Sequence, residues 1–246
     1  MIKYGYGDIL GKFSCLNDWK LSHVINDEYI CDYVYNITYE MLMQTKDLGK
    51  RLLARESEAI KFLMEALVGV GISMAYVGNS RPASGSEHHL SHFFEIIGIL
   101  KNETYFMHGL DVAYSSVYTQ KLREKLLEIE TPCECTISSK YEWEKEIHRV
   151  YLDAGTGVIK LQDKIKMYDK QSIDVCKEKW EEIKVVLREA PSTDEMNAYL
   201  ASVDLDISEF ERMYGKEKIN DAVLYAKDLK DRYTVLWLYN LLKRTL

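Results

Sequence analysis

The chain has 246 residues, an acidic balance and few residues that form turns. It contains 3 prolines and 13 glycines, where average usage would give roughly 12 and 17. This excludes an all-β sandwich or barrel, which needs a turn every ~8–12 residues. The formal charge of −7 argues against nucleic acid or a membrane surface as the main partner, because binding to phosphate groups needs a basic surface. A hydrophobic content of 47% also excludes a disordered chain.

Apolar residues recur at helical spacing from the N-terminus onward. The clearest case runs from Glu56 to Tyr76, where Leu63, Leu67 and Val70 share one face. In this first part we predict a helix, or a turn followed by a helix, at 7–24, and helices at 38–54 and 56–76.

A conspicuous break follows at residues 78–86, which are rich in glycine and serine. Ser84 and Glu87 have the spacing of a capping box, which predicts a helix start. That helix should run towards Leu100, and the next from His108 to about Glu130. The remaining predicted helices cover 141–152, 158–169, 174–189, 193–202, 207–213, 217–227 and 231–244, with residues 155–157 as a separating loop. We therefore predict an all-α fold, with one domain of about 8–11 helices spanning residues 1–246.

The most apolar run, residues 66–77, is shorter than the ~20 residues of a membrane span and contains two glycines. We predict a buried core helix there and no membrane segment. The first residues lack the apolar stretch of a signal peptide. The cysteine count is odd and no C-x-x-C pair occurs, which predicts reduced thiols in a cytoplasmic protein. The cysteines are Cys15, Cys31, Cys133, Cys135 and Cys176.

Four of the six histidines fall between residues 88 and 108. His88 and His92 are four residues apart, so they share one helix face. His108 opens the next helix and can approach His88 across a short connection. Two imidazoles plus a carboxylate suit zinc, iron or another divalent metal. The alternative is a solvated histidine pair and a helix cap, and the spacing is not the H-E-x-x-H of zinc proteases.

The loop at 79–86 precedes a helix N-terminus and carries Arg81 and three serines. Backbone N–H groups and the positive end of a helix dipole suit an anion such as phosphate. The alternative is an ordinary start of a helix with capping serines.

Several of these segments resemble one family. Residues 79–92 (NSRPASGSEHHLSH) are similar to the signature of sn-glycerol-1-phosphate dehydrogenases, in the superfamily of iron-containing alcohol dehydrogenases, glycerol dehydrogenase and 3-dehydroquinate synthase. Residues 5–12 (GYGDILGK), with 18–23 (DWKLSH), resemble the start of that family's helical domain. Residues 107–109 (MHG) resemble its second histidine motif, and 231–236 (DRYTVL) its C-terminal helix.

This resemblance implies one divalent metal held by Asp8, His88 and His108. Zinc is expected, with nickel or iron as alternatives. The metal would polarise a carbon–oxygen bond while hydride moves to or from a nicotinamide, NAD(P). The reaction implied is reversible reduction of dihydroxyacetone phosphate or a similar polyol phosphate.

The resemblance also suggests substrate contacts. His92 is predicted to relay a proton or hold substrate, or else to orient a metal ligand. Lys12 is a candidate for catalysis and, with Arg81 and Ser84, for binding the substrate phosphate. The alternative for the two cations is an ordinary surface charge. The family usually has an acidic residue directly after the His-Gly pair, whereas here Leu110 precedes Asp111.

The family has an N-terminal α/β domain with a Gly-Gly-Gly-Ser-type loop for the nucleotide, and no segment here matches it. We therefore expect the C-terminal helical domain alone, as in dehydroquinate synthase-like dehydrogenases. No residues for cofactor binding can be named. Such a half-enzyme would need a separate nucleotide-binding half or self-association.

Two other functions compete with this one. The first is a metal-dependent lyase, isomerase or cyclase that acts on a phosphorylated sugar or polyol without nicotinamide. Dehydroquinate synthases usually carry Glu at the position of Asp8, which favours the dehydrogenase. The second is a non-catalytic remnant or binding module, which the presence of all three predicted ligands disfavours.

Overall fold

The computed structural model describes residues 1–133 and 139–242, and these ranges contain α-helices and no strand. The prediction of an all-α fold is confirmed. The α-helices, in chain order, are α1 (Ile2–Leu10), α2 (Lys12–Asn26), α3 (Asp32–Thr45), α4 (Gly49–Leu53), α5 (Ser57–Val77), α6 (Ser86–Lys101), α7 (His108–Leu127), α8 (Lys140–Tyr151), α9 (Gly155–Ile165), α10 (Ile173–Glu178), α11 (Trp180–Arg188), α12 (Thr193–Ala201), α13 (Ile207–Tyr225) and α14 (Val235–Leu242). Short 3-10 turns lie at Leu152–Ala154, Tyr168–Lys170 and Ala226–Leu229.

Several predicted boundaries were wrong because local backbone geometry overrides apolar spacing. The predicted helix 38–54 is two helices, α3 and α4, and 174–189 is broken at Lys179 (φ −99°, ψ 16°). Residues 155–157 begin α9 instead of forming a loop, because the turn falls earlier, at Leu152 with a φ of 49°. The split between 207–213 and 217–227 is confirmed by Gly215, whose φ of 68° kinks α13. Positions 243 and 244 of the last predicted helix lie outside the described residues, as does Cys135.

The predicted capping box of Ser84 and Glu87 was wrong. Gly85 is the N-cap of α6, and its own N–H donates to the Glu87 side chain at 3.0 Å. A Cβ at Gly85 would lie 2.6 Å from the Cα of Cys15, so only glycine lets the loop approach α2 this closely. The Ser84 hydroxyl is consequently left to face Lys230, which donates to it at 3.1 Å.

Helix α7 is the centre of the domain. Val112, Tyr114, Val117 and Leu122 are completely buried on it, and α1, α6, α12 and α14 pack around it. Helix α7, which begins at His108, is therefore surrounded by helices that precede it and helices that follow it in the sequence.

Helix α5 is buried on one side only, which corrects the prediction of a buried core helix. By length and apolar composition it would suit a membrane span. One face, including Leu63 and Val70, packs against α1 and α3. Val68 and Ile72 on the other face are 58% and 52% exposed. The four cysteines that the structure describes are free thiols.

Candidate metal centre

Helices α1 and α7 cross at two glycines that directly adjoin the predicted metal ligands. A Cβ at Gly7 would lie 2.6 Å from the Gly109 carbonyl, and one at Gly109 would lie 2.3 Å from the Tyr4 carbonyl. The backbones can touch only because both side chains are missing. Since Asp8 follows Gly7 and His108 precedes Gly109, this contact brings the carboxylate and the imidazole together.

The third predicted ligand, His88, lies in the first turn of α6. Its Nε2 is 3.4 Å from Oδ1 of Asp8, and its ring centroid is 5.1 Å from that of His108. One ligand atom from each of Asp8, His88 and His108 lies within 4.8 Å of the other two. Two imidazoles and one carboxylate, which leave the fourth position of a tetrahedral ion for another ligand, form a donor set typical of catalytic zinc and related divalent metals. The residues present therefore fit such an ion.

The buried side chains of Glu87 and Lys12 hold His88 and Asp8 in position. Oε1 of Glu87 lies 2.6 Å from Nδ1 of His88, which leaves Nε2 free for a metal and orients the ring. Lys12 donates to Asp8 at 3.3 Å and to the Ala83 carbonyl at 2.9 Å. Burial opposes ionisation of Asp8, but the Lys12 ammonium and His88 outweigh it and hold the pKa of Asp8 below its usual value. The carboxylate is thus kept in its metal-binding form.

His92 lies one turn after His88 and faces the same space. Its ring centroid is 6.0 Å from that of His88 and 5.5 Å from that of His108. Burial, followed by the positive charge of Lys230, lowers the pKa of His92 to about 3. Its imidazole is therefore neutral at physiological pH and can both accept and donate a hydrogen bond. Glu95, one turn further, offers a ligand atom within 4.8 Å of those of His92 and His108.

Asp18 links the helices that surround the candidate metal centre. Its carboxylate accepts from the N–H of Ser86 at the start of α6 and from the N–H of Val235 at the start of α14. It also accepts from Arg123 of α7 at 2.9 Å, and both side chains are buried. One carboxylate on α2 therefore ties together three other helices.

A cationic cluster borders His92. Lys230 donates to the hydroxyl of Ser84, and Arg232 donates to the Ser84 carbonyl at 2.9 Å. Neither cation forms an ion pair with a carboxylate of the described residues, and Nε of Arg232 is buried there without a partner. Burial and the neighbouring Arg232 charge lower the pKa of Lys230 to about 8. An anion bound here would relieve the repulsion between the two cations.

Arg81 is held differently. Its Nε donates to Glu28 at 2.7 Å, a second nitrogen donates to the same carboxylate, and a third donates to the Tyr233 carbonyl. The side chain is 3% exposed. Arg81 therefore fastens the loop at 79–86 to the segment before α14, and its charge is already balanced.

Three curated proteins that are similar in sequence to this chain have the same name. A "Glycerol-1-phosphate dehydrogenase [NAD(P)+]" of Halalkalibacterium halodurans is 37% identical over 131 residues, which cover 51% of this chain and 33% of that protein. Proteins of the same name from Bacillus licheniformis and Korarchaeum cryptofilum are 28% and 32% identical, over 98% and 53% of this chain and 49% and 44% of their own lengths. The chain is homologous to glycerol-1-phosphate dehydrogenases. It spans a third to a half of the length of these relatives. No protein-family model matches it.

Within the described part of the chain, the structure brings Asp8, His88, His92 and His108 together and places Ser84 beside them. Lys12 contacts the site only through Asp8, and Arg81 lies behind the loop. Asp111 is buried and accepts from the hydroxyl of Tyr214 at 2.8 Å, and burial raises its pKa to about 8.

Sequence reasoning missed Glu87 as the partner of His88, and it missed Lys230 and Arg232. The Glu-His pair was read only as a helix start, because a carboxylate next to a histidine has no fixed orientation in sequence. The two basic residues flank Asp231 just before the last helix, 122 positions or more after His108. No spacing rule connects such distant residues.

Proposed function

We propose that the chain is the metal- and substrate-binding part of an NAD(P)-dependent dehydrogenase that reversibly reduces dihydroxyacetone phosphate or a similar polyol phosphate. The observation that carries the proposal is a group of three candidate metal ligands, Asp8, His88 and His108, beside two cations, Lys230 and Arg232, that have no ion-pair partner among the described residues. In a substrate with adjacent oxygens and a phosphate, the oxygens would bind the metal and the phosphate would bind the two cations. The name of the curated relatives supports the same reaction.

Asp8, His88 and His108 would hold one divalent ion, with zinc expected. When bound, the ion would polarise the substrate's carbon–oxygen bond as a Lewis acid. Glu87 keeps the His88 ring in the orientation that presents Nε2, and Lys12 keeps Asp8 ionised. His92 is neutral and adjoins the same space, so it would hold the substrate hydroxyl by donating a hydrogen bond to it or accepting one from it.

The phosphate would bind to Lys230, Arg232 and the Ser84 hydroxyl. Arginine and lysine donors at a site with few competing carboxylates are suited to a phosphate. Arg81 and Lys12 would support this subsite from behind, because Glu28 and Asp8 already engage their charges. The substrate would then span from the cationic pair to the metal, with His92 between.

The hydride donor would be held by residues outside this chain's helical site. We propose a separate nucleotide-binding half, or a second copy of the chain, as the partner that supplies it. Without that partner the metal can polarise a ketone, but no nicotinamide is oriented against it.

The metal assignment is tested by elemental analysis of the purified chain. We expect about one divalent ion per chain, lost in Asp8→Ala and in His108→Ala. His148→Ala, an exposed histidine on α8, should keep the metal and serves as control. A protein without metal, or with metal that survives both ligand substitutions, contradicts the assignment.

The reaction is tested by assaying dihydroxyacetone phosphate reduction with NADH and with NADPH, together with calorimetric titration of both nucleotides. We expect weak nucleotide binding and little turnover by the chain alone, and turnover when a nucleotide-binding half is added. Turnover of dihydroxyacetone phosphate by this chain alone with either nucleotide would contradict the half-enzyme. Failure to turn over in any combination, with the metal and phosphate sites intact, would contradict the dehydrogenase reaction.

A further inference from the structure

Apart from the candidate metal centre, a cavity lies between α8, α9, α14 and the two 3-10 turns at Tyr168–Lys170 and Ala226–Leu229. Its volume is about 520 Å³, within the ~300–1,000 Å³ range of small-molecule sites. Its lining includes Trp143, Tyr168 and Trp237, and none of the proposed metal ligands or phosphate contacts. The ring of Tyr168 packs edge-on against both tryptophans, with centroids 5.2 and 5.0 Å apart. The cavity is therefore aromatic and separate from the metal centre.

Four buried polar atoms of its lining lack hydrogen-bond partners within the described part of the chain. Two are donors, the indole Nε1 atoms of Trp143 and Trp237, and two are acceptors, the Oε1 atoms of Gln162 and Gln171. Buried polar groups are rarely left unpaired, since each costs free energy. Four such atoms around one cavity indicate a site that a ligand completes.

The orientation of the two glutamines is fixed by the backbone. Nε2 of Gln162 donates to the Asp228 carbonyl at 2.8 Å, and Nε2 of Gln171 donates to the Met167 carbonyl at 3.0 Å. Exchanging the amide atoms would set oxygen against oxygen, so each Oε1 remains an acceptor without a donor. Gln162 is 3% exposed and Trp237 is 2% exposed, so the unpaired groups lie inside the protein.

The cavity lining carries equal numbers of formal positive and negative charges, and most of these groups have an ion-pair partner in or next to the lining. The six charged lining residues are Lys140, Glu146, Asp163, Lys166, Asp169 and Lys227. Lys140 pairs with Asp163 at 2.7 Å, and Lys227 with Asp228 at 2.9 Å. Glu146 pairs with Arg149. The cavity therefore offers aromatic rings and neutral hydrogen-bonding groups without a net formal charge, and the Lys227 ammonium lies over one face of Tyr168 and of Trp237, at 5.2 and 4.9 Å. Its chemistry differs in this respect from that of Lys230 and Arg232.

We propose that this cavity binds a flat, uncharged nitrogen heterocycle of nucleobase type. Such a ring stacks on aromatic side chains. Its ring nitrogens or carbonyl oxygens accept from Trp143 and Trp237, and its N–H groups donate to Gln162 and Gln171. A sugar alone lacks the π face, and an aliphatic ligand lacks the hydrogen bonds.

The experiment is a titration of the full chain with adenosine, uridine and ribose, followed by tryptophan fluorescence and calorimetry. We expect saturable binding of at least one nucleoside, with quenching, and no binding of ribose. Trp237→Phe keeps an aromatic ring but removes one donor, and Gln162→Met removes one acceptor at similar size. Each should weaken nucleoside binding about tenfold. The His108→Ala variant should bind the nucleoside as the parent chain does, which separates this site from the proposed metal centre.

Trp180→Phe is the matched control, because Trp180 lies outside the cavity lining and donates to the Ile129 carbonyl. Circular dichroism establishes that each variant is folded. If Trp237→Phe does not fold, Trp143→Phe replaces it, since Trp143 is less buried. The proposal is overturned if neither nucleoside binds at millimolar concentration, or if binding is the same in the parent chain, Trp237→Phe and Gln162→Met.

Discussion

Glu87 is completely buried beside His88 and illustrates how single side chains prepare this site. Burial opposes its ionisation, but its interaction with His88 and the nearby charge of Lys12 lower its pKa below the usual value. The carboxylate therefore stays charged, and it fixes which nitrogen of His88 is available. Lys12 likewise lowers the pKa of Asp8 and keeps that carboxylate charged. Neither residue would need to contact a metal to influence how strongly Asp8 and His88 bind it.

Replacing Glu87 by Gln should weaken metal binding about 10- to 100-fold, because the His88 ring loses its charged partner while the three ligands remain. Competition with a chromophoric chelator measures this affinity. Glu103→Gln, on an exposed side chain paired with Lys218, is the control and should leave it unchanged. Equal affinity in Glu87→Gln and the parent chain would show that Glu87 does not position His88.

Lys230 should make phosphate binding depend on pH. Its pKa of about 8 means that it is charged at pH 7 and neutral at pH 9.5. Affinity for inorganic phosphate should therefore fall as pH rises through 8. Lys230→Met should weaken binding about tenfold at pH 7 and flatten this dependence. Calorimetry at both pH values measures it, with Lys61→Met, an exposed lysine on α5, as control. An unchanged profile in Lys230→Met would remove Lys230 from the phosphate site.

At the scale of helices, the site depends on how closely α1 and α7 approach. Gly7 and Gly109 allow backbone contact, and Gly85 allows the loop before α6 to touch α2. Asp18 and Arg123 then lock α2, α6, α7 and α14 together through a buried ion pair. Loss of one partner of such a pair is expected to destabilise the fold by about 3–5 kcal/mol. The ligands are thus placed by helix packing and not by flexible loops.

Gly109→Ala should push α1 away from α7, because the new methyl group would meet the Tyr4 carbonyl at 2.3 Å. We expect a loss of about 1–3 kcal/mol in the free energy of unfolding, together with weaker metal binding as Asp8 moves away from His108. Urea unfolding and chelator competition measure the two effects.

Gly71→Ala is the matched control, since its added methyl meets nothing within 4 Å on exposed helix α5. It should stabilise the protein by about 0.5–1 kcal/mol and leave metal binding intact. A Gly109→Ala protein as stable as the parent, with unchanged metal affinity, would mean that the crossing tolerates a wider spacing.

At the scale of the whole molecule, the proposed ligands come from α1, α6 and α7, which form the middle of the core. An ion bound to all three would connect the first residues of the chain to its centre. Since the unfolded chain does not hold these ligands together, metal binding should stabilise the entire domain.

Zinc at 100 times its Kd should therefore raise the free energy of unfolding by about 2.7 kcal/mol. Calorimetric melting with and without zinc measures the shift in Tm. The His88→Ala and His108→Ala variants should show no comparable shift, whereas His148→Ala should behave as the parent chain. An equal shift in all four proteins would indicate stabilisation at another site.

The sequence by itself predicted the helical fold, the ligand candidates Asp8, His88 and His108, and the resemblance to glycerol-1-phosphate dehydrogenases. Helical spacing and sequence motifs are local properties, so they can be recognised without knowing how the helices pack. Only the tertiary structure decided that Arg81 is engaged by Glu28, that Lys230 and Arg232 lie beside Ser84, and that Glu87 orients His88. These outcomes depend on contacts between residues up to 152 positions apart, such as Arg81 and Tyr233, and such contacts follow from close helix packing at Gly7, Gly85 and Gly109.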